Sequence, residues 1–228
     1  MPTHFEQELS TLKEHLLKIA GLAERAIRNG VEALIKRDTP LAEKTIAEDE
    51  VINQMEVLID EECLKLLALH QPRATDLRFI TSAMRINTEL ERIGDQAVNI
   101  AERAISLNQE PQLKPYIDIP RIAELAQSMV KDILDAFVKG DGKLARTVCE
   151  RDDQVDALND QVFREVLTYM MADSGTISRA VHLIIVSHSL ERIADHATNI
   201  AEGVIFMAQA KVIKHHADAS PGKKEEKD

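Results

Sequence analysis

The sequence predicts an all-α protein built as two tandem three-helix bundles, and composition, proline placement and an internal repeat predict it. Leu, Ile, Ala, Glu and Lys dominate the 228 residues, while aromatics make up 3% with no Trp, a composition of long helices rather than sheets. All seven prolines stand outside the apolar-periodic stretches, as long helices require, because an interior Pro removes a hydrogen bond and clashes with the preceding turn. Leu90–Glu102 recurs as Leu190–Glu202 at a constant offset of 100, with ten of thirteen positions identical.

Punctuation sets six helices, over residues 4–36, 40–70, 75–108, 120–139, 143–171 and 176–213. Pro40 follows Asp38 and Thr39 and fits the first helical position behind a cap. Pro72 and Thr75 separate the second helix from the third, and Pro111, Pro115 and Pro120 mark a linker. Gly140, Gly142 and Gly175 punctuate the second half in corresponding places. Short connections imply antiparallel neighbours, with the first helix extended at its N-terminus relative to its counterpart. The organisation expected is a first repeat over 1–110, a linker over 111–119, a second repeat over 120–213, and a polar tail over 214–228 expected to be disordered.

Upstream of the matched segment, Lys36–Asn53 aligns with Lys139–Asp156 at an offset of 103, so the second half lacks three residues in its turn between second and third helices. In the third helix Ala83, Ile86, Leu90, Ile93, Ala97, Ile100, Ala104 and Leu107 follow steps of three and four, a bundle seam. Leu183, Val186, Leu190, Ile193, Ala197, Ile200, Val204 and Met207 repeat it. The small Ala97 and Ala197 permit close helix approach.

A net charge of -11 opposes nucleic-acid phosphates. No run of about 18 apolar residues exists to cross a membrane, and no basic segment leads into an apolar one at the start, so a cytoplasmic chain, peripheral to a membrane at most, is expected. Cys63 and Cys149 lack a nearby Cys or His at zinc-site spacing and read as buried free thiols. Met170, Met171 and Met207 read as core filler, and the tail residues His215 and His216 as incidental.

Glu91, Asp95, Asn99 and Glu102 fall on one narrow face opposite the seam, and Glu191, Asp195, Asn199 and Glu202 repeat them. Carboxylates four residues apart repel, which costs a few tenths of a kcal/mol. Arg92 is spaced to reach Asp95, but the helix offers Glu91 and Glu102 no cation. One such stripe is ordinarily a solvated face. Two matched stripes, among surface positions that otherwise diverge between the halves, point to a shared demand. Clustered carboxylates with an amide oxygen satisfy a hard cation such as Mg, Mn or Fe. Asp49, Asn53 and Glu56 on the second helix, and Asp152, Asp156 and Asn159 in the other half, are placed to complete each site. His188 shares a face with Glu191 and Asp195. No phosphate-binding loop, CxxC pair or nucleophile elbow occurs.

At Glu91-Arg92-Ile93-Gly94-Asp95 and Glu191-Arg192-Ile193-Ala194-Asp195, each running on into Asn-Ile-Ala-Glu, the chain resembles the PhoU family of phosphate-uptake regulators. The resemblance extends from the first helix to about residue 213. It implies a six-helix protein of two three-helix bundles, with a surface metal cluster of Fe, Mn, Mg or Zn on each, and a homodimer. It also implies a non-enzymatic negative regulator of the phosphate-starvation response, an adaptor between a Pst-type transporter ATPase and a sensor histidine kinase. Carried over by position, the metal groups are Glu91, Asp95, Glu191 and Asp195, joined by Asn99, Asn199, Glu102, Glu202, Asp49 and Asp152. Two alternatives are a ferritin-like carboxylate-bridged metal enzyme, whose ligands would face the bundle interior, and a helical scaffold whose acidic faces bind only water.

Overall fold

A computed structural model describes residues 3–209, and the repeat is clearest where its helices end. α1 (His4–Ile35) and α4 (Asp118–Lys139) are each followed by a residue in the left-handed region, Arg37 at φ 57° and Gly140 at φ 63°. Asp38 N donates to Ala33 O and Asp141 N to Ala136 O, both at 2.9 Å, while Arg37 N and Gly140 N reach Leu34 O and Phe137 O at 3.4 and 3.3 Å. Both turns are therefore one Schellman closure. Glycine adopts the conformation freely, but an L side chain loses about 1–2 kcal/mol there. Arg37 offsets that loss by donating from Nη2 to the carbonyls of Leu107, Asn108 and Glu110 at 3.2, 2.8 and 2.6 Å. Asp38 and Asp141 then cap the next helices, accepting from Leu41 N at 3.0 Å and Leu144 N at 3.1 Å.

The remaining helices are α2 (Thr39–Leu69), α3 (Ala74–Asn108), α5 (Gly142–Cys149), α6 (Asp152–Ala172) and α7 (Ile177–Gln209), with a 3₁₀ turn over Ser174–Thr176. No strand occurs among the described residues. The helix expected over 143–171 is thus two helices, and the cause lies outside local sequence. Arg151 donates to Asp132 Oδ2 at 2.6 Å, Ser128 Oγ at 3.2 Å and Thr147 O at 3.4 Å. The backbone tightens there into three-residue bonds, Arg151 N to Val148 O and Gln154 N to Arg151 O, both at 3.1 Å. The aligned residue of the first repeat is Glu48, and α2 runs through it unbroken.

α3 and α7 pack against each other at the centre, with α1 and α2 on one side and α4, α5 and α6 on the other. All eight seam residues of α3 are buried, and Leu183 through Val204 of α7 likewise, with Met207 half-buried. Met170 is half-buried too, but Met171 projects into solvent at 81% exposure and fills no core. Cys63 is buried and Cys149 half-buried, both free; burial pushes their thiols up to about 12 and about 11. The extra N-terminal turns of α1 are tied to α2, where Glu8 accepts from Lys65 at 2.7 Å and pairs with His70 at 2.8 Å. The tail 214–228, and the expected end of the last helix over 210–213, lie outside the described residues.

The close approach expected at Ala97 is met by Gly30 of α1. A Cβ added at Gly30 would stand 3.0 Å from Ala97 O, a backbone atom of another helix that cannot step aside. At Gly21, on the exposed side of the same helix, an added Cβ meets nothing within 4 Å. Gly30→Val should therefore lower stability by about 1–3 kcal/mol. Gly21→Ala should raise it by about 0.5–1 kcal/mol, because Gly is a poor helix former. Urea midpoints of the two variants check the contrast, and equal shifts would remove the Gly30–Ala97 contact as the reason for glycine.

Candidate metal centres

α3 and α7 each present acidic residues toward the long helix that precedes them, α2 and α6. In the first, Asp49 of α2 stands over Gly94 of α3, where its Oδ1 lies 3.2 Å from the position a Cβ would take. Asn53 Nδ2 donates to Asp49 Oδ2 at 3.2 Å, leaving Asp49 Oδ1 and Asn53 Oδ1 buried without a hydrogen-bond partner. Burial raises the Asp49 carboxyl above its ordinary range, the Asn53 hydrogen bond opposes this, and the Asp95 charge adds to it. Burial likewise raises Glu91, helped by the charges of Asp95, Glu56 and Asp49. Four carboxylates, Asp49, Glu56, Glu91 and Asp95, thus share one patch, and Arg92 is the cation that offsets their repulsion at Glu91.

The second repeat builds the same patch with different partners. Burial raises Asp156, assisted by Asp195, Asp153 and Asp160. Burial and the Asp195 charge raise Glu191, while His188 opposes them and Asp156 adds to them. His188 Nδ1 stands 2.8 Å from Glu191 Oε2, so the histidine joins the acidic cluster. In place of Glu56 this half has Asn159, which accepts from the buried Ser187 at 2.6 Å and is tied to α7.

The other residues read from the stripe go elsewhere. Arg92 pairs with Glu89 at 3.4 Å rather than with Asp95, and Glu102 does find a cation, Arg103, at 2.9 Å. Asn99 donates to Gln96 at 3.4 Å. Asp152 at the start of α6 and Glu202 of α7 both press on the Cys149 thiol at the end of α5. Among the described residues no three His, Cys, Asp or Glu side chains converge as a ready ligand set, so cation binding requires side-chain rotation. The donor chemistry fits such an ion: hard oxygens in excess, a buried acceptor at Asp49 without a donor, and repulsion that a cation would relieve. The seam behind these carboxylates is apolar throughout, so they occupy the outer side of α3 and α7, not the bundle interior.

Asn199 leads to a feature the stripe alone did not show. It donates to Glu89 Oε2 of the other repeat at 3.1 Å, and His196 Nδ1 approaches the same oxygen at 2.7 Å. The Glu89 and His196 side chains are only 15% and 7% exposed. Burial pushes the Glu89 carboxyl up, but hydrogen bonds from His196 and Asn199 outweigh it, leaving the group below its ordinary range. Glu89 to His196, Ile86 to Gly203 and Arg103 to His182 pair falling with rising numbers, so α3 and α7 run antiparallel. The one signal for this clasp in the sequence was that Glu89 and His196 face Ser189 and Gln96 in the repeat alignment, one divergence just before the matched segment and one inside it.

The molecule is thus a tandem-repeat helical protein with a carboxylate patch on each central helix. Comparison with known proteins agrees: the family model of the PhoU domain matches residues 16–104 and 119–204. The chain belongs to the PhoU family. It is 45% identical over 209 residues to the phosphate-specific transport system accessory protein PhoU homolog of Aquifex aeolicus, covering 92% of this chain and 95% of that one. The crystal structure of PhoU from Pseudomonas aeruginosa superposes with a TM-score of 0.89 at 44% identity, over 91% of this chain and 100% of that one. The phosphate transport system regulatory protein PhoU from Streptococcus pneumoniae gives 0.85 at 28% identity, over 93% and 100%.

Proposed function

We propose that this chain is a cytoplasmic, non-enzymatic accessory protein of a phosphate-specific transport system, acting as a negative regulator of phosphate uptake and of the phosphate-starvation response. It works as a metal-binding adaptor, and as a homodimer, between a Pst-type transporter ATPase and a sensor histidine kinase. Relatives of near-equal length carry the name of transport-system accessory protein, and no described helix is long and apolar enough to cross a membrane. The single observation that carries the metal part is the duplicated carboxylate patch, with its buried and unpartnered Asp49 oxygen.

In the first centre Asp49, Glu91 and Asp95 would hold an ion of Fe, Mn, Mg or Zn, with Glu56 within the same field. In the second, Asp156, Glu191 and Asp195 would do so, with His188 beside them. Asp152, Glu202, Glu102, Asn99 and Asn199 are outlying donors. The ion supplies positive charge that joins α2 to α3, or α6 to α7, across faces that otherwise repel; the residues hold the helices in reach of it. A nitrogen donor beside three carboxylates makes the second centre softer than the first.

Deletion with complementation tests the regulatory role. Loss of the gene should raise phosphate uptake and derepress starvation genes, and the wild-type chain should restore both. Unchanged uptake and unchanged expression in the deletant would sink it. Elemental analysis of protein purified without a chelating tag tests the metal. Metal bound by the wild type and absent from the Glu91, Asp95, Glu191 and Asp195 quadruple Ala variant is expected, and equal metal in both would refute the assignment.

A further inference from the structure

A second site of different chemistry lies where the two repeats meet. α1, α3, α4 and α7 together line a cleft of about 290 Å³, walled by Leu17, Phe79, Phe137 and Met207, with Lys13 and Lys139 among its lining residues. The chain has only five Phe, and two of them stack here, the Phe79 and Phe137 rings 5.8 Å apart at 20°. Phe137 is buried, whereas Leu17 remains 44% exposed beside the cleft. Lys13 sends its Nζ to 5.0 Å from the centre of the Phe79 ring and has no ion-pair partner among the described residues. Lys139 pairs with Asp135 at a loose 3.8 Å on the surface.

Lys13 makes the one cation–ring contact among the described residues, and no carboxylate competes for its ammonium. Clefts of about 300 Å³ with apolar walls and a few placed polar groups are the form small-molecule sites take. From the apolar floor, the volume and the two ammonium groups, we infer that this cleft binds a small amphipathic carboxylate, its alkyl chain against Phe79, Phe137 and Met207 and its head group at Lys13. A helix from a partner would need a groove long enough for anchors a full turn apart, and this cleft is compact. The site is separate from the carboxylate patches and independent of the phosphate reading.

Titration of the full chain with laurate, followed calorimetrically, tests the inference. One laurate should bind per chain, and dodecanol, which shares the tail but not the charge, should bind about tenfold more weakly, as loss of one charge-assisted contact implies. Lys13→Gln, a surface change that leaves the core untouched, should weaken laurate about tenfold and leave dodecanol unaltered. Phe79→Ala should weaken both. Equal affinity for laurate and dodecanol, or no effect of Lys13→Gln, overturns the proposal. So does an absence of laurate binding by the full chain. If binding then appears on removal of residues 210–228, the chain fills its own cleft; if Phe79→Ala instead abolishes self-association, a second copy does.

Discussion

Glu89→Ser should lower the melting temperature by about 5–12 °C, the equivalent of roughly 2–4 kcal/mol for a chain of this size. The cost comes from what the substitution strands. His196 is 7% exposed and its Nε2 already has no hydrogen-bond partner, so without Glu89 neither ring nitrogen would be satisfied. His196→Gln should cost less, about 1–2 kcal/mol, because Glu89 keeps Asn199 and Arg92. The double variant places Ser and Gln where the internal repeat already has Ser189 and Gln96, a combination the fold carries at the equivalent positions. It should therefore be more stable than the sum of the singles allows, with a coupling above about 1 kcal/mol in a double-mutant cycle. Strict additivity would show that the two side chains do not act together and would reduce the clasp to coincidence.

That clasp also shows where the sequence stops being readable. The helix ends were legible because each rests on a residue and its immediate neighbours: Asp38 as a cap, Pro40 in the first turn behind it, and Gly140 as the residue that turns the chain. The seams were legible because burial repeats every three or four residues whatever the partner helix is. Arg37 in the left-handed region was not, since its compensation comes from carbonyls 70 to 73 residues away. The interruption after Cys149 was hidden for the same reason: neither Pro nor Gly marks it, and the bond that tightens it joins Arg151 to Asp132 on another helix. Glu89 and His196, 107 residues apart, look like ordinary polar positions until α3 and α7 are laid antiparallel.

The carboxylate patches were half legible, and the division follows the same line. Spacing along one helix placed Glu91 with Asp95 and Glu191 with Asp195, and the repeat drew attention to them. Spacing could not say which side chains cross to another helix. Asn199 turns to Glu89, Arg92 turns to Glu89 instead of Asp95, and Arg103 folds back on its neighbour Glu102 although adjacent helix residues do not normally face each other. Asp49 and Asp156 acquire their weight only from packing against α3 and α7, which takes Asp49 half out of solvent and sets both beside like charges.

Without a divalent cation, the protein should lose stability as pH rises from the ordinary carboxylate range toward neutrality. Asp49, Glu91, Asp156 and Glu191 all have carboxyls raised by burial and by neighbouring carboxylates. The folded state therefore binds their protons more tightly than the unfolded state does. Through the window between the unfolded and the raised folded values, more protons are bound in the folded form, and stability falls with increasing pH. Glu89, held below its ordinary range, acts with the opposite sign: its contribution is present above the unfolded value and is lost only as pH falls further, through the folded one. A stability maximum on the mildly acid side is the expected profile of the cation-free chain. Manganese should then invert the neutral limb. At 100 times its dissociation constant it adds about 2.7 kcal/mol, a rise of about 5–10 °C in melting temperature near pH 7.5. The rise should shrink as the pH approaches the carboxylate range, where protons compete for the same oxygens. Replacing Asp49, Asp95, Asp156 and Asp195 together by Asn should reduce the neutral-pH loss to what burial of Glu91 and Glu191 retains, and should remove the manganese response. A manganese shift that survives in that variant, or that does not depend on pH, would place the ion elsewhere and return the two acidic faces to solvent.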